Sequence, residues 1–251
     1  MDVMTRRAAS GESVYLSVAA TAYNEAENLP RLLEEIAAAL GRLNRPWEVV
    51  IANDGSTDGT VEVLREQMRR YGQLRVVSLG QRSGQTAGLE AALRAAGGQF
   101  IVTLDADLQN DPADIPRLLA LVESGQCDFA NGWRRDRRDP WLRRVSTKIA
   151  NGVRNRLTGE NIRDSAGGLK VFRRECLARV KLFNGMHRFL PTLVKMEGYR
   201  VAEVPVNHRA RLAGEAKYGV WNRLFRALRD AWAVRWMQSR VLRYRAEEWE
   251  R

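Results

Sequence analysis

The sequence predicts an α/β fold, a mostly parallel sheet flanked by helices. Three observations predict it. Apolar runs of strand length alternate with segments whose apolar residues fall at helical spacing. The runs are continuously apolar, the pattern of strands buried on both faces. Three of them stop at polar clusters, as strands do where a parallel sheet turns its carboxyl ends toward a ligand.

The elements follow in order. Val14 to Ala20 is a β-rich run that ends at the polar turn Tyr23-Asn24-Glu25. Asn28 is placed to cap a helix with Pro30 in its first turn and Leu32, Leu33, Ile36 and Leu40 on one face. Trp47 to Ala52 is a short apolar strand closed by Asn53-Asp54-Gly55-Ser56, and a helix from about Asp58 to Tyr71 is expected to bury Val61, Leu64 and Met68. Strand Leu74 to Leu79 and the Ala-rich helix Gln85 to Ala96 come next. Phe100 to Leu104 runs straight into Asp105-Ala106-Asp107, Pro112 opens another helix, and Phe129 to Gly132 forms a further strand. The expected organisation is a disordered tail at 1–13, one globular domain at 14–219, and an amphipathic helix with its tail at 220–251.

Composition narrows the class. The chain has 251 residues, 45% of them hydrophobic, so it can bury a sizeable core. Cys127 and Cys176 match no metal spacing or disulfide framework and read as buried thiols in a reducing compartment. The N-terminus carries no apolar signal core, and no stretch approaches the ~18 apolar residues that span a bilayer. A cytoplasmic, soluble or peripheral protein is expected.

The formal net charge of +11 calls for an anionic partner. It is concentrated late in the chain. From Trp133 to Arg156 there are nine Lys/Arg against two Asp, interleaved with Trp141, Leu142, Val145 and Ile149. From Val220 to about Arg243 a basic amphipathic helix places Trp221, Leu224, Phe225, Leu228, Trp232 and Trp236 on one face. Such segments suit an anionic bilayer surface. The helix could equally pack on the body or dock on a separate membrane subunit.

Asp105-Ala106-Asp107 is the sharpest local signal. Two carboxylates at i and i+2 beyond a strand make a hard oxygen site suited to Mg²⁺ or Mn²⁺. Such a cation neutralises a departing diphosphate, the main electrostatic need of glycosyl transfer from a nucleotide sugar. The bland reading is a pair of solvated loop acids. Asn53 to Thr60 reads as a turn and helix start, with Gly55 and Gly59 for the turn and Thr57 or Asp58 as the cap. Asp54 could also accept from a nucleobase or ribose. His187 and His208 lack a second ligand at metal spacing and read as structural contacts.

Seven ordered segments, TAYNEAENLPRLLEEI, NDGSTDGT, SGQTAGLEAAL, VTLDADLQNDPADIPRLL, GWRRDRRDPWLRR, DSAGGLKVFRRE and HRARLAGEAKYG, resemble the family 2 glycosyltransferases. The branch they resemble includes dolichol-phosphate mannosyltransferase and the undecaprenyl-phosphate sugar transferases. The resemblance implies a GT-A fold and inversion at the anomeric carbon. It implies that Tyr23, Glu25 and Asp54 line the donor nucleotide pocket, and that Asp105, Asp107 and Gln109 hold the metal at the diphosphate. It places Asp164 beside the sugar in the acceptor half and makes Arg134, Arg209, Arg211 and Lys217 the acceptor and phosphate contacts. Thr21, Asn53, Ser165 and Gly167 depart from the usual proline, aspartate, aromatic and cysteine. The first expected donor is GDP-mannose; UDP-glucose, UDP-N-acetylglucosamine and a modified UDP-arabinose stay open.

The implied acceptor, a polyprenyl phosphate, has a second pKa near ~6 and is largely a dianion at neutral pH. It needs no strong general base, so Asp164 is expected to orient rather than to take a proton. A family 2 transferase acting on a saccharide hydroxyl is the alternative. Nucleic acid is not an expected partner: the pI of 10.3 permits it, but no RNA- or DNA-binding motif is present.

Overall fold

The computed structural model describes residues 13–134, 152, 154–164, 167–209 and 220–242, with side chains of the last segment from 228 onward. The expectations for the N-terminal tail, for most of the basic segment 133–156, for the Trp221, Leu224 and Phe225 side chains, and for Arg211 and Lys217 lie outside the described residues.

Seven strands form one mixed, mostly parallel sheet in the order β3-β2-β1-β4-β6-β5-β7. The first half is parallel throughout: β1 (Leu16–Ala22) pairs with β2 (Trp47–Asn53) and with β4 (Phe100–Asp105), and β2 pairs with β3 (Leu74–Ser78). Helices α1 (Leu29–Leu40), α2 (Thr60–Arg70) and α3 (Gln85–Ala95) connect these strands. A 3₁₀ turn at Pro112–Asp114 leads into α4 (Ile115–Glu123), which returns the chain to β5 (Phe129–Arg134). The short strand β6 (Lys170–Arg173) then inserts antiparallel between β4 and β5. After α5 (Leu190–Met196), β7 (Val201–Val206) closes the edge parallel to β5.

The core explains the pattern. Val18, Ala20, Val50, Ile51 and Val102 are fully enclosed, so strands β1, β2 and β4 are covered on both faces, and continuous apolar runs result. Helix α1 buries Leu29, Leu32, Leu33, Ile36 and Leu40, a stripe worth roughly 1.5–3 kcal/mol per side chain. On the other face, Phe129 and Phe172 stack with ring centroids 4.8 Å apart, tying β5 to β6. Cys127 and Cys176 are free and buried, as expected.

Two local expectations fail. Asn28 makes no side-chain cap; its amide donates to the Glu25 carboxylate at 2.6 Å instead, leaving Pro30 to start α1. Met68 is 45% exposed and Val61 half-buried; α2 buries Thr60, Leu64 and Gln67, so Leu64 alone of the three expected residues is core. The last helix, α6 (Val220–Ser239), buries Ala231 and Val234 against Met186, Phe189 and Leu193. Two of its tryptophans are not core: Trp232 and Trp236 are 65% and 63% exposed. No helix among the described residues is long and apolar enough to cross a membrane.

Candidate active site

The sheet brings three polar clusters to one end. Ala22 pairs with Asn53, and Thr21 with Asp105, so the chain leaves β1, β2 and β4 at the same level. The strand order turns back between β1 and β4, the switch point where open α/β sheets bind ligands. Asp105 ends β4 at that point.

On the β1–β2 side, backbone and side chains stitch the turns together. Asn24, at φ 55, accepts from the Thr57 N–H at 2.9 Å, and its own N–H donates to Ser56 Oγ at 3.0 Å. Glu25 N–H donates to Thr60 Oγ1 at 2.9 Å. Thr60 N–H donates in turn to Asp58 at 3.0 Å, but the N-cap of α2 is Gly59, so neither Thr57 nor Asp58 caps the helix as expected. Asp54 is buried, and its carboxylate accepts from the N–H groups of Ser83 (2.6 Å) and Gly84 (2.9 Å). It therefore holds the loop ahead of α3. Gly55, at φ +66, lets that loop approach, since a Cβ there would meet the Arg82 nitrogen at 2.5 Å. Arg82 lies over the Tyr23 ring at 4.2 Å. A concavity of about 400 Å³ opens beside Glu25, Asn28 and Asp58, and Asp105 is not among its lining residues.

On the β4 side, Asp105 accepts from the Gln85 side-chain amide at 2.9 Å. Desolvation and then the charge of Asp107 push its carboxyl above the usual range, against the opposing pull of Lys170 and Arg134. Asp107 accepts from the Gln109 N–H at 3.3 Å, in a turn where Leu108 sits at φ 60. Asp164 is 3% exposed and forms a bidentate pair with Arg134, Nε to Oδ2 at 2.7 Å and Nη2 to Oδ1 at 3.0 Å. The Asn131 amide holds the Asp164 carbonyl at 2.9 Å.

Two of the site's neighbours were not among the expected site residues, although Lys170 lies within the segment DSAGGLKVFRRE. Lys170, 4% exposed, donates to the Gly167 carbonyl, and burial lowers its pKa to about 8 against the pull of Asp105 and Asp164. His187 bonds through Nδ1 to Thr86 Oγ1 at 2.7 Å, and burial, with Arg188 and Lys170 nearby, takes its pKa down to about 3. Neither carries a spacing signal; only their place beside α3 and β6 reveals them.

Arg209, expected to contact phosphate, is paired with acids in this structure. Its guanidinium is committed to Glu35 at 2.6 Å and to Asp111 at 2.9 Å, and its N–H bonds the Gln109 carbonyl at 3.0 Å. In this structure it anchors the end of β7 to α1 and the Gln109 turn.

Residues 17–180 match the profile of glycosyl transferase family 2. The dodecaprenyl-phosphate galacturonate synthase of Rhizobium johnstonii is 37% identical over 94% of this chain and 69% of its own length. The chain belongs to glycosyl transferase family 2. An undecaprenyl-phosphate 4-deoxy-4-formamido-L-arabinose transferase of Edwardsiella ictaluri is 36% identical over 82% of the chain, which spans only 63% of that relative. Among solved structures, glucosyl-3-phosphoglycerate synthase of Mycobacterium tuberculosis superposes with a TM-score of 0.69 at 20% identity, over 92% of this chain and 82% of the other. A mannosyltransferase of Pyrobaculum calidifontis, solved with GDP-mannose and Mn²⁺, gives 0.60 at 19% identity, over 94% and 76%. The fold is GT-A.

Asp105, Asp107 and Gln109, the residues that the family resemblance implies for a cation, would offer it side-chain oxygens of the kind Mg²⁺ or Mn²⁺ prefers. No three His, Cys, Asp or Glu side chains converge as a closed cage among the described residues. Burial first, and then the Asp107 charge, disfavour a charged Asp105, and a bound cation would offset both. Gly168 packs directly on Asp105: a Cβ there would meet the Asp105 carboxylate and the Asn110 amide.

Proposed function

We propose that this glycosyltransferase moves a sugar from a nucleotide diphosphate donor to a polyprenyl phosphate, with inversion. One observation carries the reading: relatives that act on different sugars, galacturonate and a formamido-arabinose, bear names that share a polyprenyl-phosphate acceptor. The mannose expectation yields to these relatives, and an acidic or 4-modified sugar on a UDP carrier becomes the first candidate. The neighbour solved with Mn²⁺ and UDP-glucose supports a divalent cation.

Asp105, Asp107 and Gln109 would hold that cation, which supplies charge neutralisation for the departing diphosphate. Tyr23, Glu25 and Asp54 frame the nucleotide side, Asp54 through the loop it fixes at Ser83 and Gly84. On the acceptor side Arg134, held rigid by Asp164, points charge at an incoming phosphate. The phosphate dianion is already nucleophilic, so Asp164 orients Arg134 and takes no proton. Arg211 and Lys217 remain phosphate contacts in this proposal, and Arg209 serves as the anchor of their segment.

The acceptor lies in a membrane, and α6 offers a face for it. Arg229, Trp232, Arg235, Trp236 and Arg240 are all exposed, while the acid between them, Asp230, is buried. A strip of tryptophan and arginine without acid suits an anionic headgroup layer. A panel of radiolabelled sugar nucleotides, incubated with short polyprenyl phosphate and divalent cation and then extracted with organic solvent, tests the reading. Lipid-phase label names the donor; label with no donor in the panel, UDP-galacturonate and UDP-formamido-arabinose included, rejects it.

A further inference from the structure

Lys170 occupies a place where physics favours an apolar residue. It lies inside the sheet, in register with Thr103 of β4 on one side and Asn131 of β5 on the other. Its strand neighbours Val171 and Phe172 are fully buried. Lysine is almost never so enclosed unless something compensates its charge. A Leu or Met would fill the site without that penalty.

Its surroundings show what the charge does. The ammonium donates to the Gly167 carbonyl, and the Thr103 hydroxyl donates to the Gly168 carbonyl at 3.1 Å. Side chains of β6 and β4 thus grip one turn. On one side of that turn Gly168 abuts the Asp105 carboxylate; on the other stands Asp164. Lys170 acts electrostatically on both carboxylates. Arg134 is already committed to Asp164 by two hydrogen bonds. Lys170 and Arg134 offset Asp105, and on the far side Lys170 and Arg154 act on Asp164, whose N–H also donates to Glu203. A phosphate dianion entering beside them is repelled strongly if Lys170 or Arg134 is lost.

We propose that Lys170 is a positioning residue that fits this cleft to a phosphate acceptor rather than a hydroxyl: its charge offsets Asp105 and Asp164, and its bond to Gly167 fixes the turn between them. The proposal deepens the polyprenyl-phosphate reading and rests on it.

The test compares wild type, Lys170→Met and Lys170→Arg. Binding of a short polyprenyl phosphate and of the uncharged polyprenol of equal length is measured by calorimetry, beside steady-state KM and kcat. Lys170→Met is expected to weaken the phosphate by at least about tenfold, a floor well below the Coulomb effect of one unit charge ~4 Å away at an effective dielectric of about 20. The acceptor KM rises in proportion, polyprenol binding stays unchanged, and Lys170→Arg, which keeps the charge, retains most of the phosphate affinity. Equal loss for phosphate, polyprenol and donor nucleotide, or no loss at all, overturns the proposal. So does a Lys170→Arg protein as impaired as Lys170→Met. If Lys170→Met does not fold, Lys170→Gln and Lys170→Arg at lowered temperature carry the same comparison. A wild type that binds polyprenol as well as polyprenyl phosphate refutes the lipid-phosphate reading itself, a different outcome from a flat response to Lys170→Met.

Discussion

Replacing Gly168 with alanine tests the proposed cation site with a single methyl group. The backbone φ at Gly168 is not positive, so alanine is compatible with the chain path. The space is not. The added Cβ would lie 2.6 Å from Asn110 Nδ2, 2.8 Å from Asp105 Cγ and closer still to Asp105 Oδ2. Carbon contacts relax to about 3.5 Å, so the carboxylate must retreat by roughly 1 Å. Asp105 is held on its far side by the Gln85 amide and yields only by breaking that bond. Cation–oxygen bonds are fixed near ~2.1 Å, and a misplacement of ~1 Å costs on the order of 100-fold in rate. Overpacking alone costs about 1–3 kcal/mol of stability. Calorimetric titration with Mn²⁺ in the presence of a nucleoside diphosphate, beside thermal unfolding, separates the two effects. The expected result is a folded protein with a modestly lower melting point and a cation affinity reduced by at least tenfold. Wild-type cation affinity in Gly168→Ala would refute the placement of Asp105 as a ligand.

Further outcomes follow from the same geometry. Asp164→Asn leaves Arg134 facing an amide in a mostly buried site, so stability falls by roughly 3 kcal/mol and turnover drops; the pH–rate profile keeps its acidic limb, whereas a lost limb would make Asp164 a base. His187, with its folded pKa near about 3, binds fewer protons than its unfolded form at about 6.5. Stability therefore rises with pH across that window by up to about 1.4 kcal/mol per unit, and His187→Gln flattens the rise in pH-dependent urea unfolding, while an unchanged slope contradicts the burial of the ring. Trp232→Ala with Trp236→Ala is expected to reduce sedimentation with phosphatidylglycerol vesicles by about tenfold without lowering the melting point; retention on the vesicles would remove α6 from the membrane face.

Much of the fold was legible because the first half of the chain obeys local rules. Continuous apolar runs give β1, β2, β3 and β4 to within a residue or two, and helical stripes give α1 to α4. The second half was less legible. Strand β6 is four residues long and opens with a lysine, and β7 is half-exposed, so neither shows a strand period. Both are made by tertiary pairing with β5. Lys170 lies within the segment DSAGGLKVFRRE, but its role depends on Asp105, which β4 brings beside it from far away in the sequence. Arg209 lies in a basic motif, but its partners Glu35 and Asp111 are distant in sequence and invisible to spacing. Asn28 has the composition of a cap and loses that role to a local carboxylate, Glu25. The Asp105-Ala106-Asp107 signal was legible because strand end, turn and chemistry are encoded in consecutive residues.

The most direct measurement follows labelled sugar from a UDP-linked donor into the organic phase, with wild type and with Asp105→Ala/Asp107→Ala at matched concentration. Label in the polyprenyl-phosphate fraction for wild type, abolished by chelation and by the double substitution, is the expected result. Undiminished transfer by the substituted protein would contradict the cation-assisted departure of the diphosphate on which the proposed function rests.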